Sequence, residues 1–183
     1  MACTLSSGRI VDCKESVGGI QKVFFSNYVN YLAQTGFVET GDVVSVATTD
    51  TDGIDVYEFD VRPETSSLTV TYQSDPANGT TFFEQSLSLT FQKFDSTDIG
   101  DIRSICQGRP NVWVLDNNLN LFLIGAVYGC NVQGGNLVTG QGFGDLNGYT
   151  IDLVGREQNP VYVATATQAN AFAAVSGINV VAN

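Results

Sequence analysis

Carboxylates, glycines and thiols are the residues of this chain whose types and spacing could do chemistry. In Asp50-Thr-Asp-Gly-Ile-Asp55 three carboxylates surround a glycine, as at the start of a calcium-binding loop. The twelve-position loop ends on an acidic residue, and this chain has Val61 there, so the segment reads as a hairpin turn with at most weak divalent-cation affinity. Glu58 and Asp60 offer a carboxylate pair, but glycoside hydrolysis needs two carboxyl groups on opposed sides of one bond. Alternating along one exposed strand face, they read as solvated charge. Gly140-Gln-Gly-Phe-Gly-Asp-Leu-Asn-Gly148 has the glycine density of a phosphate loop. It lacks the Gly-Lys-Ser/Thr ending and opens into strand-like Tyr-Thr-Ile-Asp-Leu153 rather than a helix, which leaves a flexible interface loop.

The cysteines Cys3, Cys13, Cys106 and Cys130 show no Cys-x-x-Cys spacing, and the chain contains no histidine. Zinc and haem sites thereby lose their commonest ligand, and every histidine-dependent nucleophile triad is excluded. The dispersed thiols read as reduced and partly buried, with a Cys3–Cys13 bridge as the alternative. Trp113 and its aromatic neighbours read as core rather than as a sugar-stacking platform. No catalytic, cofactor-binding or metal-ligating residue is assigned.

Charge narrows the partners. Nineteen acidic residues against eight basic ones give a net charge of −11, with the excess concentrated between Asp50 and Glu64. A basic nucleic-acid patch is absent, while an acidic wall repels phosphates and suits a conduit for DNA better than a binder. No apolar run approaches the roughly 20 residues of a membrane span, and the start lacks a basic segment followed by an apolar stretch, so a soluble, unexported chain is expected.

The elements that would position these residues are strands. Short alternating segments rich in Val, Ile, Thr, Tyr and Phe, separated by Gly, Asn, Asp and Pro, predict a mainly β fold: an antiparallel sandwich or barrel of about nine or ten strands in a single domain over 1–183. Leu68–Tyr72 and Leu87–Phe91 form a hairpin across Asp75-Pro-Ala-Asn-Gly79, with one wet and one buried face. Val112–Leu115 and Leu121–Ile124 form a second hairpin, buried throughout. A third pairs Val43–Val46 with Ile54–Val61 across Asp50-Thr-Asp-Gly53, and further strands are expected near Gln21–Phe25, Tyr149–Val154 and Val161–Thr165.

One flanking α-helix is expected at 98–107, with Ile99, Ile102, Ile105 and Cys106 on one face, Ser96 or Thr97 as cap and Gly108-Arg-Pro110 as stop. Asn30–Gln34 adds a helical turn. Residues 134–148 carry six glycines and read as a long adaptable loop. Residues 1–16 and 166–183 read as terminal arms, the latter either closing the β core or extending onto a neighbouring subunit.

The order from Gln85 to Gly134 resembles the tail-tube proteins of long-tailed bacteriophages: a strand, Lys93-Phe-Asp-Ser-Thr-Asp leading into a short helix, Gly108-Arg-Pro-Asn-Val-Trp-Val-Leu-Asp, then Leu-Phe-Leu-Ile-Gly125. Gly144–Leu153 with Val154-Gly-Arg-Glu157 is similar to their closing strand, and Val17–Phe25 fits loosely. The resemblance covers about two thirds of the chain as an order of elements rather than a sharp motif.

It implies a non-enzymatic virion protein, assembled in the host cytoplasm into hexameric rings stacked around a channel. Its partners would be itself, other tail or neck proteins, and DNA passing without specific binding; no membrane is involved. Asp50, Asp52, Asp55, Glu58, Asp60 and Glu64 are then the candidate lumen-facing carboxylates. Gly134, Gly135, Gly140, Gly142, Phe143 and Gly144 are the candidate inter-subunit loop. Another neck, terminator or capsid-decorating protein, and a carbohydrate-binding sandwich, remain alternatives; a carboxylate-only hydrolase ranks below both.

Overall fold

A computed structural model of the chain describes residue 14 and residues 16–33, 37–40, 43–46, 53–96, 98–173, 175 and 177–181, with backbone alone at 37–40 and 43–46. The fold is mainly β, two packed sheets with one α-helix. The larger sheet contains β1 (Ile20–Ser26), β2 (Phe37–Thr40), β3 (Val43–Val46), β4 (Ile54–Asp60), β7 (Asn111–Asp116), β8 (Asn120–Ile124), β11 (Tyr162–Thr165) and β12 (Ile178–Val181). Its order is β12-β4-β1-β7-β8-β11-β3-β2. The smaller sheet contains β5 (Ser67–Asp75), β6 (Thr80–Gln92), β9 (Cys130–Val138) and β10 (Gly148–Glu157) in the order β5-β6-β10-β9.

Strand patterning follows from how many faces each strand buries. In β6, Leu87, Leu89 and Phe91 turn inward while Ser86, Ser88 and Thr90 face out, the alternation of a sheet with one wet side. In β7 the run Val112-Trp-Val-Leu115 has no polar alternate because both faces are covered. Val112 and Val114 pack with Val23 and Phe25 against Leu89 and Ile151 of the smaller sheet. Trp113 and Leu115 pack on the opposite face with Phe24 and Leu123, under Tyr31, Phe172 and Val175. The larger sheet is therefore the middle layer. The segment after Ala166 supplies its second cover through Phe172 and Val175, with β12 adding to β4 in parallel, so the described residues of this segment close the core rather than form an arm.

Both local hairpins form as expected, with uninterrupted registers. The third does not. β3 pairs with β2 and β11, whereas β4 lies between β1 and β12. The expected glycine-rich loop is also shorter, because Gly134 and Gly135 belong to β9, opposite Asp152 and Ile151 of β10. A Cβ at Gly135 would collide with the Thr150 carbonyl oxygen, so glycine there permits close approach of two strands.

The helix α1 (Asp98–Gln107) has the expected bounds. Of the two expected caps, Thr97 lies outside the described residues; ahead of the helix the Asp98 carboxylate accepts the Asp95 N–H at 2.7 Å and the Asp95 carbonyl accepts the Asp98 N–H. Ile102 and Ile105 pack against the core between the sheets, but Ile99 and Cys106 are exposed, so only half of the predicted apolar face is covered. A 3₁₀ turn, Tyr31–Ala33, stands where a helical turn is expected.

Candidate functional site

The predicted carboxylate row does not form a single surface. Asp50 and Asp52 lie outside the described residues. Along β4 side chains alternate, so Asp55 is on one face and Glu58 and Asp60 on the other. The Lys22 ammonium hydrogen-bonds Glu58 and stands 3.9 Å from Asp60, and the Glu58 contact raises its pKa. Glu64 sits beyond the strand end with φ of +65°. Among the described residues no group of three or more potential ligands could hold a metal ion. Trp113 is fully buried, its indole N–H donating to Tyr31 Oη at 3.1 Å, which removes it as a sugar platform.

A different wall emerges from the smaller sheet. Its outward rows read across the strands as Ser67, Ser88, Asp152, then Thr69, Ser86, Val154, then Thr71, Glu84, Arg156. Ser88 Oγ donates to Asp152 at 2.7 Å, and Arg156 pairs with Glu84 at 2.8 Å, leaving a hydroxyl-rich face without an unpaired cation among these rows.

Among the described residues no further strand pairs with either edge of this sheet. β5 and β9 each run nine residues, carry no Lys, Arg or Pro, and have one charged residue between them, Asp75 at the end of β5. The β5–β6 register continues through all nine β5 residues without a bulge. Short length, lysines, prolines and bulges are how proteins blunt edges, and β5 has none of them. The edges of the larger sheet, β12 and β2, are only four residues each.

Two further surfaces complete the site. In the loop 139–147 the Asp145 carboxylate accepts the N–H groups of Gln141 at 2.9 Å and Gly142 at 2.7 Å, and these bonds lower its pKa. Gly140, at φ +73°, has the Asp145 Cβ only 2.7 Å from where its own Cβ would stand, so the turn needs glycine. Braced this way, with Gly142 and Gly144 on either side, Phe143 projects fully into solvent, at 115% of its reference exposure. At the other end of β9 a cleft of about 560 Å³ opens between α1 and the β1–β4 pair, walled by Phe25, Tyr28, Tyr57, Phe59 and Ile105. The Arg109 guanidinium lies 4.4 Å over the Tyr28 ring at one side of it.

No family model, no curated protein and no solved structure matches the chain.

The floor beside the cleft is fixed by a buried acid. Glu157 Oε1 accepts the N–H groups of Val127 and Tyr128 at 3.0 and 2.9 Å, and Tyr28 Oη donates to the Val127 carbonyl, so one carboxylate sets the 125–130 turn against the aromatic wall. Burial raises the Glu157 pKa and the two N–H bonds oppose that rise. The same desolvation, with the Glu157 charge adding to it, pushes the Cys130 thiol up to about 12 and leaves it unreactive; Cys106 and Cys130 are both unpaired.

Because the folded pKa of Glu157 lies above its unfolded value, its contribution to stability is full below the unfolded pKa and is lost as pH rises through the folded one. Glu157→Gln keeps one oxygen for both amides and removes the buried charge. Urea melts at pH 4 and pH 7 are expected to show a smaller loss of stability toward pH 7 in the variant than in the wild type. An unchanged difference would mean that Glu157 does not carry that pH dependence.

Proposed function

We propose that this chain is a structural, non-catalytic subunit of a phage tail tube that assembles with copies of itself into rings stacked around a channel. The observation that carries the reading is the pair of almost uncharged nine-residue strands, β5 and β9, that end the smaller sheet with no further strand beside them among the described residues, β9 carrying a register shift at Gln133 and its first N–H bonded to the Pro110 carbonyl. If β5 of one copy pairs with β9 of the next, both edges are satisfied by one kind of contact. Such a head-to-tail contact between unlike patches closes into a ring when the rotation permits. The resemblance in element order points to six copies. The smaller sheets would then join into one continuous inner wall.

That wall would present the Ser/Thr-rich face with Asp152, and the β4 carboxylates would lie in the other sheet. With Arg156 held by Glu84 and a net charge of −11, it offers DNA little to bind, and counterion-release attraction would not retard a passing polymer. Other tail or neck proteins would cap the stack in the virion.

Negative-stain microscopy and light scattering of the purified chain across a concentration series test the reading. Rings of constant diameter and hollow filaments are the expected result; a monomer at every concentration, with and without other tail proteins, would refute it.

A further inference from the structure

Phe143 and the aromatic cleft are a knob and a socket that the fold places at opposite ends of one strand. The loop bearing Phe143 joins the last residue of β9, Val138, to Gly148 of β10. The cleft reaches Gly108, Arg109 and Pro110, and the Pro110 carbonyl accepts the N–H of Cys130, the first residue of β9. Nine extended residues span on the order of 27 Å, so the two features lie about the height of the sheet apart. A contact between them cannot close within one molecule, and between molecules it translates each copy along the strand direction, which yields an open-ended stack.

We infer that Phe143 of one copy seats in the cleft between α1, β1 and β4 of another, forming the ring-to-ring contact; this rests on the tube reading above. The occupant is a second copy for three reasons. The loop is ordered before binding, because Asp145 already holds the N–H groups of Gln141 and Gly142, so little conformational freedom is lost on docking. The ring would enter a pocket whose walls are aromatic and whose size falls in the range of sites that enclose apolar groups.

The charges also match. Asp145 is the only charged residue of the loop, and Arg109 stands at the cleft against Tyr28. Of the acids lining the cleft, Glu58 is held by Lys22, and Asp101 lies in the first turn of α1 whereas Arg109 follows the helix end. In a chain of net charge −11, a site bearing a cation is where a second copy can approach without repulsion.

The test uses the full chain. Phe143 is fully exposed, so Phe143→Ser leaves circular dichroism and melting unchanged while shortening filaments at least tenfold and preserving rings, whose seams are the β5 and β9 edges. In a mixture of Phe143→Cys and Ser104→Cys chains, oxidation is expected to join residue 143 of one copy to residue 104 of another, identified as a linked peptide by mass spectrometry. Filaments of wild-type length from Phe143→Ser, or filaments without the 143–104 link, would overturn this contact and leave the ring reading standing. Absence of any assembly by the wild-type chain, with and without other tail proteins, would overturn both.

Discussion

A proline placed in β5 at Val70 or at Thr71 is expected to abolish self-association in one of the two variants while that variant folds like the wild type. Along an antiparallel edge strand, successive residues turn their N–H groups alternately toward the paired neighbour and toward open solvent. One of the two positions therefore spends its N–H on β6, and the other spends it on the open side. Proline at the first position weakens the hairpin. At the second it costs the monomer nothing in hydrogen bonding and sets a ring where an incoming β9 would need to lie.

The size of the effect follows from the proposed β5–β9 seam. At about 1 kcal/mol net per hydrogen bond, a wedge that prevents three or four of them removes about 3–4 kcal/mol. With about 1.4 kcal/mol per factor of ten, each seam weakens by more than a hundredfold. Sedimentation velocity separates the outcomes, with circular dichroism identifying the variant that keeps its fold. A folded proline variant that assembles at wild-type concentrations would show that β5 is not a seam.

What was legible in the sequence divides by locality. The hairpins at 67–92 and 111–124 and the helix at 98–107 are specified by residues within a few positions of one another: the turn at Asp75–Gly79, the Asp116–Asn120 link, and isoleucines at helical spacing. Of the two partners of β3, β11 was not legible, because it lies more than a hundred residues later and contributes a pattern no different from that of β4, whereas β2 is a local partner that was not read as a strand. The edges could not be identified for the same reason: whether β5 and β9 are central or marginal depends on sheet order, which no local pattern encodes.

Other misses were readable. The alternation along β4 already separates Asp55 from Glu58 and Asp60, so a single carboxylate row was inconsistent with the strand assigned to it. Glycine content alone misled at Gly134 and Gly135, where the reason for glycine is close approach of β10 rather than a loop. The loop tip was legible at Phe143, since an aromatic flanked by glycines is hard to bury. The cleft was not, because its walls come from β1, β4 and the end of α1.

Deleting residues 168–183 is expected to unfold the chain, which separates a core layer from an arm that reaches a neighbour. Phe172 is 4% exposed, its ring 4.9 Å from that of Phe24 and 5.5 Å from that of Trp113, both edge-on, and Val175 is buried beside them. Replacing a buried phenylalanine by alanine costs about 3–5 kcal/mol, and loss of a buried valine adds roughly 1.5–3 kcal/mol. Domains of this kind are stable by only about 5–15 kcal/mol in total. The deletion also strips β12 from β4 and uncovers Tyr31 and Trp113 along the outer face of the middle sheet.

Phe172→Ala measures the same layer in a smaller step. Its urea midpoint should fall by an amount equivalent to about 3–5 kcal/mol with the slope unchanged, as for a lost core contact in a cooperative fold. An arm would behave in the opposite way, because its removal would leave the monomer melt untouched and weaken only assembly. A truncated chain that melts like the full one would therefore return this segment to the surface and leave the aromatic face around Trp113 as an interface in search of its cover.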